Sequence, residues 1–186
     1  MSKKLIPLMF VSTALLLAGC TIGKKTSSAS GSGEQSSGSQ AAQTASLKIT
    51  KANSGIDTTD GLAAAKQVTY TTDAGNVVLE WSAGCYNYSK YDEIGVAKTS
   101  GYVKLVSLPE GFKVSTLVLD FYKYENAKVF ASADGSGSEL AASQTGASDL
   151  ADSILKTYNL DGTAFYVGNT SSYAQAFYSI TLNLSK

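Results

Sequence analysis

From Leu47 onward, apolar and polar positions alternate in short runs separated by clusters of Gly, Asn, Asp, Ser and Pro. A period of two puts every second side chain on one face of an extended strand, whereas a helix sorts residues with a period of 3.6. Leu47-Lys48-Ile49 is the first such run. Asn53 to Gly61 is dense in turn formers, and Leu62 to Lys66 reads as one helical turn or a loop leading in. Gln67 to Thr72 alternates around Val68 and Tyr70. Asp73-Ala74-Gly75-Asn76 is a turn, and Val77 to Trp81 is a β-branched and aromatic run. Ser82 to Ser100 is less regular and carries Tyr86, Tyr88 and Tyr91. Gly101 to Leu108 predicts a strand ended by Pro109-Glu110-Gly111, where Pro fixes φ and Gly supplies the freedom after it.

Lys113 to Tyr124 has the strongest strand pattern. Leu117, Leu119 and Phe121 share one face, and Val118, Asp120 and Tyr122 share the other. Asn126 to Ala131 reads as its return strand, so that 113–131 forms a hairpin. Asp134 to Ser138 is a Gly/Ser turn. In Ser148 to Asn159, Leu150, Ile154 and Leu155 have helical spacing with Ser148 as a cap, while Ile154, Tyr158 and Leu160 fit a strand. Its neighbours are strand-like, which favours a strand over the second half. Asp161-Gly162 is a hairpin turn signal, followed by Phe165-Tyr166-Val167. After a turn over Gly168 to Tyr173, Ala174 to Leu184 closes the chain with Tyr178, Ile180, Leu182 and Leu184 on one face. Some nine short strands with frequent turns predict an all-β fold, an antiparallel β-sandwich of two sheets about 10 Å apart. Residues 47–186 are enough for one domain with a core.

The N-terminal segment follows other rules. Lys3 and Lys4 precede an apolar run from Leu5 to Leu17, too short for the roughly 20 residues of a membrane crossing, and small residues follow at Ala18-Gly19. This is the layout of a secretory signal over 1–19. Leu17-Ala18-Gly19-Cys20 resembles the lipobox of bacterial lipoproteins. The resemblance implies cleavage before Cys20, a diacylglycerol on its thiol and often an acyl group on the new amino terminus. Acylation of this kind, palmitate included, anchors a chain firmly once two or more acyl chains are buried, at about 0.8 kcal/mol per methylene. The expected location is therefore the cell membrane or envelope, with the domain outside the cytoplasm. Thr21 to Ser46 holds eight Ser and four Gly in 26 residues and is expected to be a disordered linker, so that 20–46 tethers the domain. Lys24 and Lys25 add little attraction to headgroups.

Composition narrows the function. Without the signal, 13 lysines face 15 acidic residues, a net charge of about −2, and the chain has no Arg. Nucleic-acid readers depend on Arg and basic stripes, so nucleic acid is not an expected partner. With no His, neither a Ser-His-Asp nor a Cys-His set can be assembled, nor the usual zinc sites. If Cys20 carries lipid, Cys85 has no partner within the chain and reads as a small buried residue.

The succession Lys98-Thr99-Ser100-Gly101-Tyr102-Val103, Val114 to Leu119, Tyr158-Asn159-Leu160, Phe165 to Asn169 and Phe177 to Leu182 resembles jelly-roll β-sandwich modules of the galactose-binding-like kind, over residues 67–184. The resemblance implies an accessory domain of the kind found in bacterial secreted and surface proteins, many of which are carbohydrate-binding and many others without a known ligand, and it carries no ligand residue with it.

Candidate contacts come from the residues themselves. Tyr86, Tyr88 and Tyr91, with Trp81, offer aromatic planes to the C–H faces of sugar rings; the alternative is that Trp81 is core and the tyrosines fold over their own loop. Tyr122 and Tyr124 form either an exposed stripe or cross-strand packing. Asp57, Asp60 and Gly61 read as turn residues rather than calcium ligands, and no metal or cofactor is expected. Glu80, Asp92, Glu93 and Asp120 are the acids from which a glycoside-hydrolysing pair would have to come. The leading expectation is a lipid-anchored, non-catalytic β-sandwich that recognises a glycan or surface partner. Behind it stand a structural lipoprotein docking to another envelope protein and, last, a carboxylate-dependent glycan hydrolase.

Overall fold

The computed structural model describes residues 42–88 and 90–186. The signal, Cys20 and the linker up to residue 41 lie outside the described residues. In chain order the strands are β1 (Thr44–Ile49), β2 (Lys66–Thr72), β3 (Gly75–Trp81), β4 (Tyr86–Asn87), β5 (Ile94–Val96), β6 (Gly101–Ser107), β7 (Lys113–Tyr122), β8 (Ala127–Phe130), β9 (Gln144–Gly146), β10 (Ser153–Gly162), β11 (Tyr166–Asn169) and β12 (Gln175–Ser185). They form two antiparallel sheets. One runs β4-β5-β12-β7-β10-β9, with β1 also on β12, and the other β2-β3-β6-β11-β8. β5 and β1 share one side of β12, β5 against Gln175 to Phe177 and β1 against Ile180 to Ser185.

The pairing from β5 to β12 is nested. β5 pairs β12, β6 pairs β11 and β7 pairs β10, and Leu140 N–H donates to Val129 O of β8 (2.8 Å). A long hairpin folded across two sheets in this way is a jelly roll. The β2–β3 hairpin extends the five-stranded sheet beside β6. Its two-residue loop, Asp73-Ala74, ends at Gly75, whose φ of 123° suits glycine alone.

The inner faces follow the alternation. Leu117, Leu119 and Phe121 of β7 meet Ile180, Leu182 and Leu184 of β12, with Val77, Leu79 and Trp81 of β3 and Val103 of β6 also in the core, all essentially solvent-free. Ser153 to Gly162 is a strand, as its neighbours imply.

Four expectations are corrected. Residues 113–131 are not a hairpin, because β8 pairs with β11 in the opposite sheet. Lys123, at φ 66°, turns the chain out of β7 and across the sandwich. Asp161-Gly162 likewise marks a crossing from β10 to β11 rather than a hairpin, with Asp161 at φ 44°. In β12 the register shifts between Phe177 and Ser179. This bulge turns Phe177 into the core and leaves Tyr178 on the outer face. Lastly, strand structure begins at Thr44 rather than Leu47, since Thr44 to Ser46 continue the pairing with β12 and Ser46 Oγ bonds Asn183 Oδ1 (3.0 Å). Leu62 to Lys66 is a loop, tied by Leu62 N–H to Cys85 O (2.8 Å) and by Gly84 N–H to Leu62 O (2.7 Å).

Candidate functional site

β5 is only three residues long, yet it positions the site. Ile94 and Val96 point into the core, so alternation turns Glu93 and Gly95 toward the outer face of the seven-stranded sheet. Gly95 pairs with Tyr86 of β4, and the Tyr86 ring lies over it. A Cβ there would stand 2.4 Å from the ring. From Tyr86 a continuous row of rings crosses the face. Tyr86 meets Tyr88 edge-on (centroids 4.9 Å apart), Tyr88 meets Tyr91 (6.0 Å), Tyr91 lies near-parallel to Tyr122 at the end of β7 (6.2 Å), and Tyr122 meets Tyr178 (5.5 Å). Each such pair contributes about 0.5–1.5 kcal/mol beyond its buried area, so the row is held in place before any ligand arrives.

Beside this row lies an open groove of about 680 Å³, lined by Tyr88, Tyr91, Tyr122, Tyr124 and Tyr173 together with Glu93, Asn126 and the 174–176 segment. Tyr124 and Tyr173 rise from loops and are largely exposed. Two buried amides fix those loops. Gln175 donates from Nε2 to Tyr124 O (2.8 Å) and Ala176 O (2.7 Å), while its Oε1 accepts from the backbone N–H groups of Asn126 and Ala127. Asn169 donates from Nδ2 to Tyr173 O (2.8 Å) and Ala97 O (3.1 Å), and accepts from Ser171 N–H (3.0 Å). Nearly every polar atom of both amides is used, so each wall is defined by bonds rather than by chance packing. On the other flank, Asn87 bonds to Ile56 O and to Ser54 Oγ (3.2 Å), tying the 51–58 segment to β4.

The groove contains one anomaly. Glu93 is 1% exposed, and neither carboxylate oxygen has a hydrogen-bond partner among the described residues. Lys51, whose charge acts on Glu93, donates instead to Tyr91 O (2.6 Å). Burial pushes the Glu93 carboxyl above the usual carboxylate range, against the weaker pull of Lys51. The Tyr86 and Tyr178 phenols are pushed up as well, mainly by burial, with the negative charge of Glu93 contributing to both.

No family model, curated protein or solved structure matches this chain.

Tyr88, Tyr91, Tyr122 and Tyr124, expected from the sequence as contacts, line the groove, and Tyr86 backs them. Tyr124 stands beyond the end of β7, past the left-handed turn at Lys123, so it does not form a stripe with Tyr122 along one strand. Trp81 does not belong to the site. It is solvent-free on the inner face of the other sheet, and its Nε1 donates to Tyr70 Oη (3.1 Å), which donates to Ser54 O (2.6 Å). Tyr173, Tyr178 and the two buried amides escaped the sequence reading. Tyr173 sits alone in a turn, and nothing local announces that Asn169 will tie it to Ala97, 72 positions before Asn169 in the chain.

The acids part company. Glu80 belongs to the five-stranded sheet, paired with Lys104 (2.9 Å) and accepting from Tyr102 (2.8 Å). Glu93 and Asp120 belong to the other sheet, where Asp120 accepts from Ser153 Oγ (2.6 Å). Asp57 pairs with Lys66 (3.3 Å). Cys85 is a free, buried thiol that contacts Ser82 Oγ (3.3 Å), and burial raises its pKa. The groove thus supplies aromatic faces, a few amides and one carboxyl without a hydrogen-bond partner among the described residues.

Proposed function

We propose that this chain is a lipid-anchored envelope protein whose jelly-roll domain recognises a surface glycan, or a partner bearing one, without transforming it. Cys20 carries the lipid, and residues 21–43 act as the tether. The observation that carries this reading is the groove itself. Five of the chain's eleven tyrosines line one groove on an outer sheet face, with loops held rigid by Gln175 and Asn169. Tyrosines pre-set in this way supply large contact area at little entropic cost, and the amide groups at the rim set orientation.

The test is retention of the intact chain on a glycan array and on purified cell-wall polysaccharide. The expected result is retention that Tyr124→Ala or Tyr173→Ala abolishes or weakens at least several-fold. Retention that neither variant changes, or crosslinking in cells to a single stoichiometric protein with no glycan bound, overturns it. Mass spectrometry of the mature amino terminus tests the anchor: an unmodified Cys20 thiol removes it.

A further inference from the structure

Resting on the reading of the groove as a ligand site, we infer that the group it is built to receive is an organic ammonium. Glu93 carries the argument. A carboxylate removed from water without a hydrogen-bond partner is costly, and here it stands among aromatic rings, whose faces are themselves electronegative. Among the described residues no lysine lies within ion-pair distance of it, and Lys51 is committed to Tyr91 O. A cation is the one class of ligand that repairs both defects at once, since it pairs with the carboxyl and is attracted to the ring faces.

The ring geometry points the same way. Stacking a neutral sugar calls for a flat plate; among the rings that line the groove Tyr91 lies near-parallel to Tyr122 (27°), but Tyr88 closes one end at 67° to Tyr91. Rings set at these angles make a corner, which suits a rounded, positively charged headgroup. The ammonium of an amino sugar and that of a choline substituent share this chemistry.

Two matched pairs of probes test it on the intact chain by calorimetry. Choline is compared with its neutral carbon isostere 3,3-dimethylbutan-1-ol, and glucosamine with N-acetylglucosamine. The expected result is that the charged member of at least one pair binds and its neutral partner binds at least ten-fold more weakly. Which pair responds distinguishes a quaternary from a sugar-borne ammonium. Glu93→Gln, which keeps the shape and removes the charge, should weaken the charged probe about 100-fold. Tyr124→Ala and Tyr173→Ala, at exposed positions, should each weaken it roughly 5- to 30-fold. Equal binding of charged and neutral members, or no effect of Glu93→Gln on a charged probe that binds, overturns the ammonium inference and leaves glycan recognition standing. Failure of all four probes while polysaccharide is still retained through Tyr124 and Tyr173 does the same. Loss of polysaccharide retention as well overturns the groove reading itself.

Discussion

A buried carboxyl with no partner opposes the fold that contains it, and the direction of its pKa shift says over which pH range. In Glu93 burial raises the pKa above the ordinary 4.5, with Lys51 opposing. The folded chain therefore keeps this proton to higher pH than the unfolded chain does. Stability is greatest below about 4.5, falls as pH rises through the raised folded value, and then levels off. The Glu93 charge acts on the phenols of Tyr86 and Tyr178, and Tyr88, Tyr91 and Tyr122 line the same groove. Glu80 behaves oppositely. Hydrogen bonds from Lys104 first, then Gln67 and Tyr102, bring its pKa down to about 2, so its contribution is present above 4.5 and lost as pH falls toward 2. The two windows do not overlap. Thermal melts should show Glu93→Gln more stable than the parent at pH 7 and equal to it near pH 4. A parent whose advantage or deficit against the variant is the same at both pH values would contradict the assignment. Residues that bind are often residues that destabilise, and an acid in a polar stretch such as Tyr91-Asp92-Glu93 gives no hint in sequence that it will be buried. That is why Glu93 reads there only as one of four acids that could supply a hydrolytic pair, and not as a buried, unpartnered one.

At the scale of elements, the β4–β5 ribbon is the weak part on which the groove depends. Its strands are two and three residues long, and a two-stranded ribbon has little stability of its own. It persists because β5 also pairs with β12, Ile94 and Val96 anchor it in the core and Tyr86 lies over Gly95. Gly95→Ala places a methyl 2.4 Å from that ring, and the ring must swing into solvent. The expected cost is about 1–3 kcal/mol, with the Tyr86 phenol returning toward its ordinary pKa of 10 and weaker ligand binding through Tyr88. Ultraviolet titration of tyrosinate reads the shift, and an unchanged titration would mean the ring does not lie where it is described. The same element marks the limit of sequence reading. In β7 the alternation of Leu117, Leu119 and Phe121 declares the buried face outright, because period and burial coincide. At Asp161-Gly162, and between the predicted strands ending at Tyr124 and starting at Asn126, a change of direction is legible, but it gives no information about which sheet receives the next strand. Hence two crossings read as hairpins. The bulge at Phe177–Ser179 is invisible for a related reason: both Phe177 and Tyr178 are aromatic, and only the register with Phe121 and Asp120 decides which one enters the core.

Over the whole molecule, stability and recognition occupy different places, which makes them separable by mutation. The core lies between the sheets, whereas the groove lies on the outer face of one of them. Leu119, solvent-free at the centre of β7, should cost about 2–5 kcal/mol when changed to Ala and leave ligand affinity per folded molecule unchanged. Tyr173→Ala, at a position 73% exposed, should move stability by no more than about 0.5 kcal/mol while binding weakens roughly 5- to 30-fold. Trp81 reports on the same separation without mutation. It is the chain's single tryptophan, it is fully buried, and it belongs to the sheet opposite the groove. Its emission should therefore be blue-shifted in the folded chain, red-shifted on unfolding, and indifferent to a ligand that saturates the groove, while tyrosine signals respond. A ligand that perturbs Trp81 emission at concentrations where tyrosine signals are silent would mean that binding reaches the core by another route, and the division between a supporting sandwich and a recognising face would have to be abandoned.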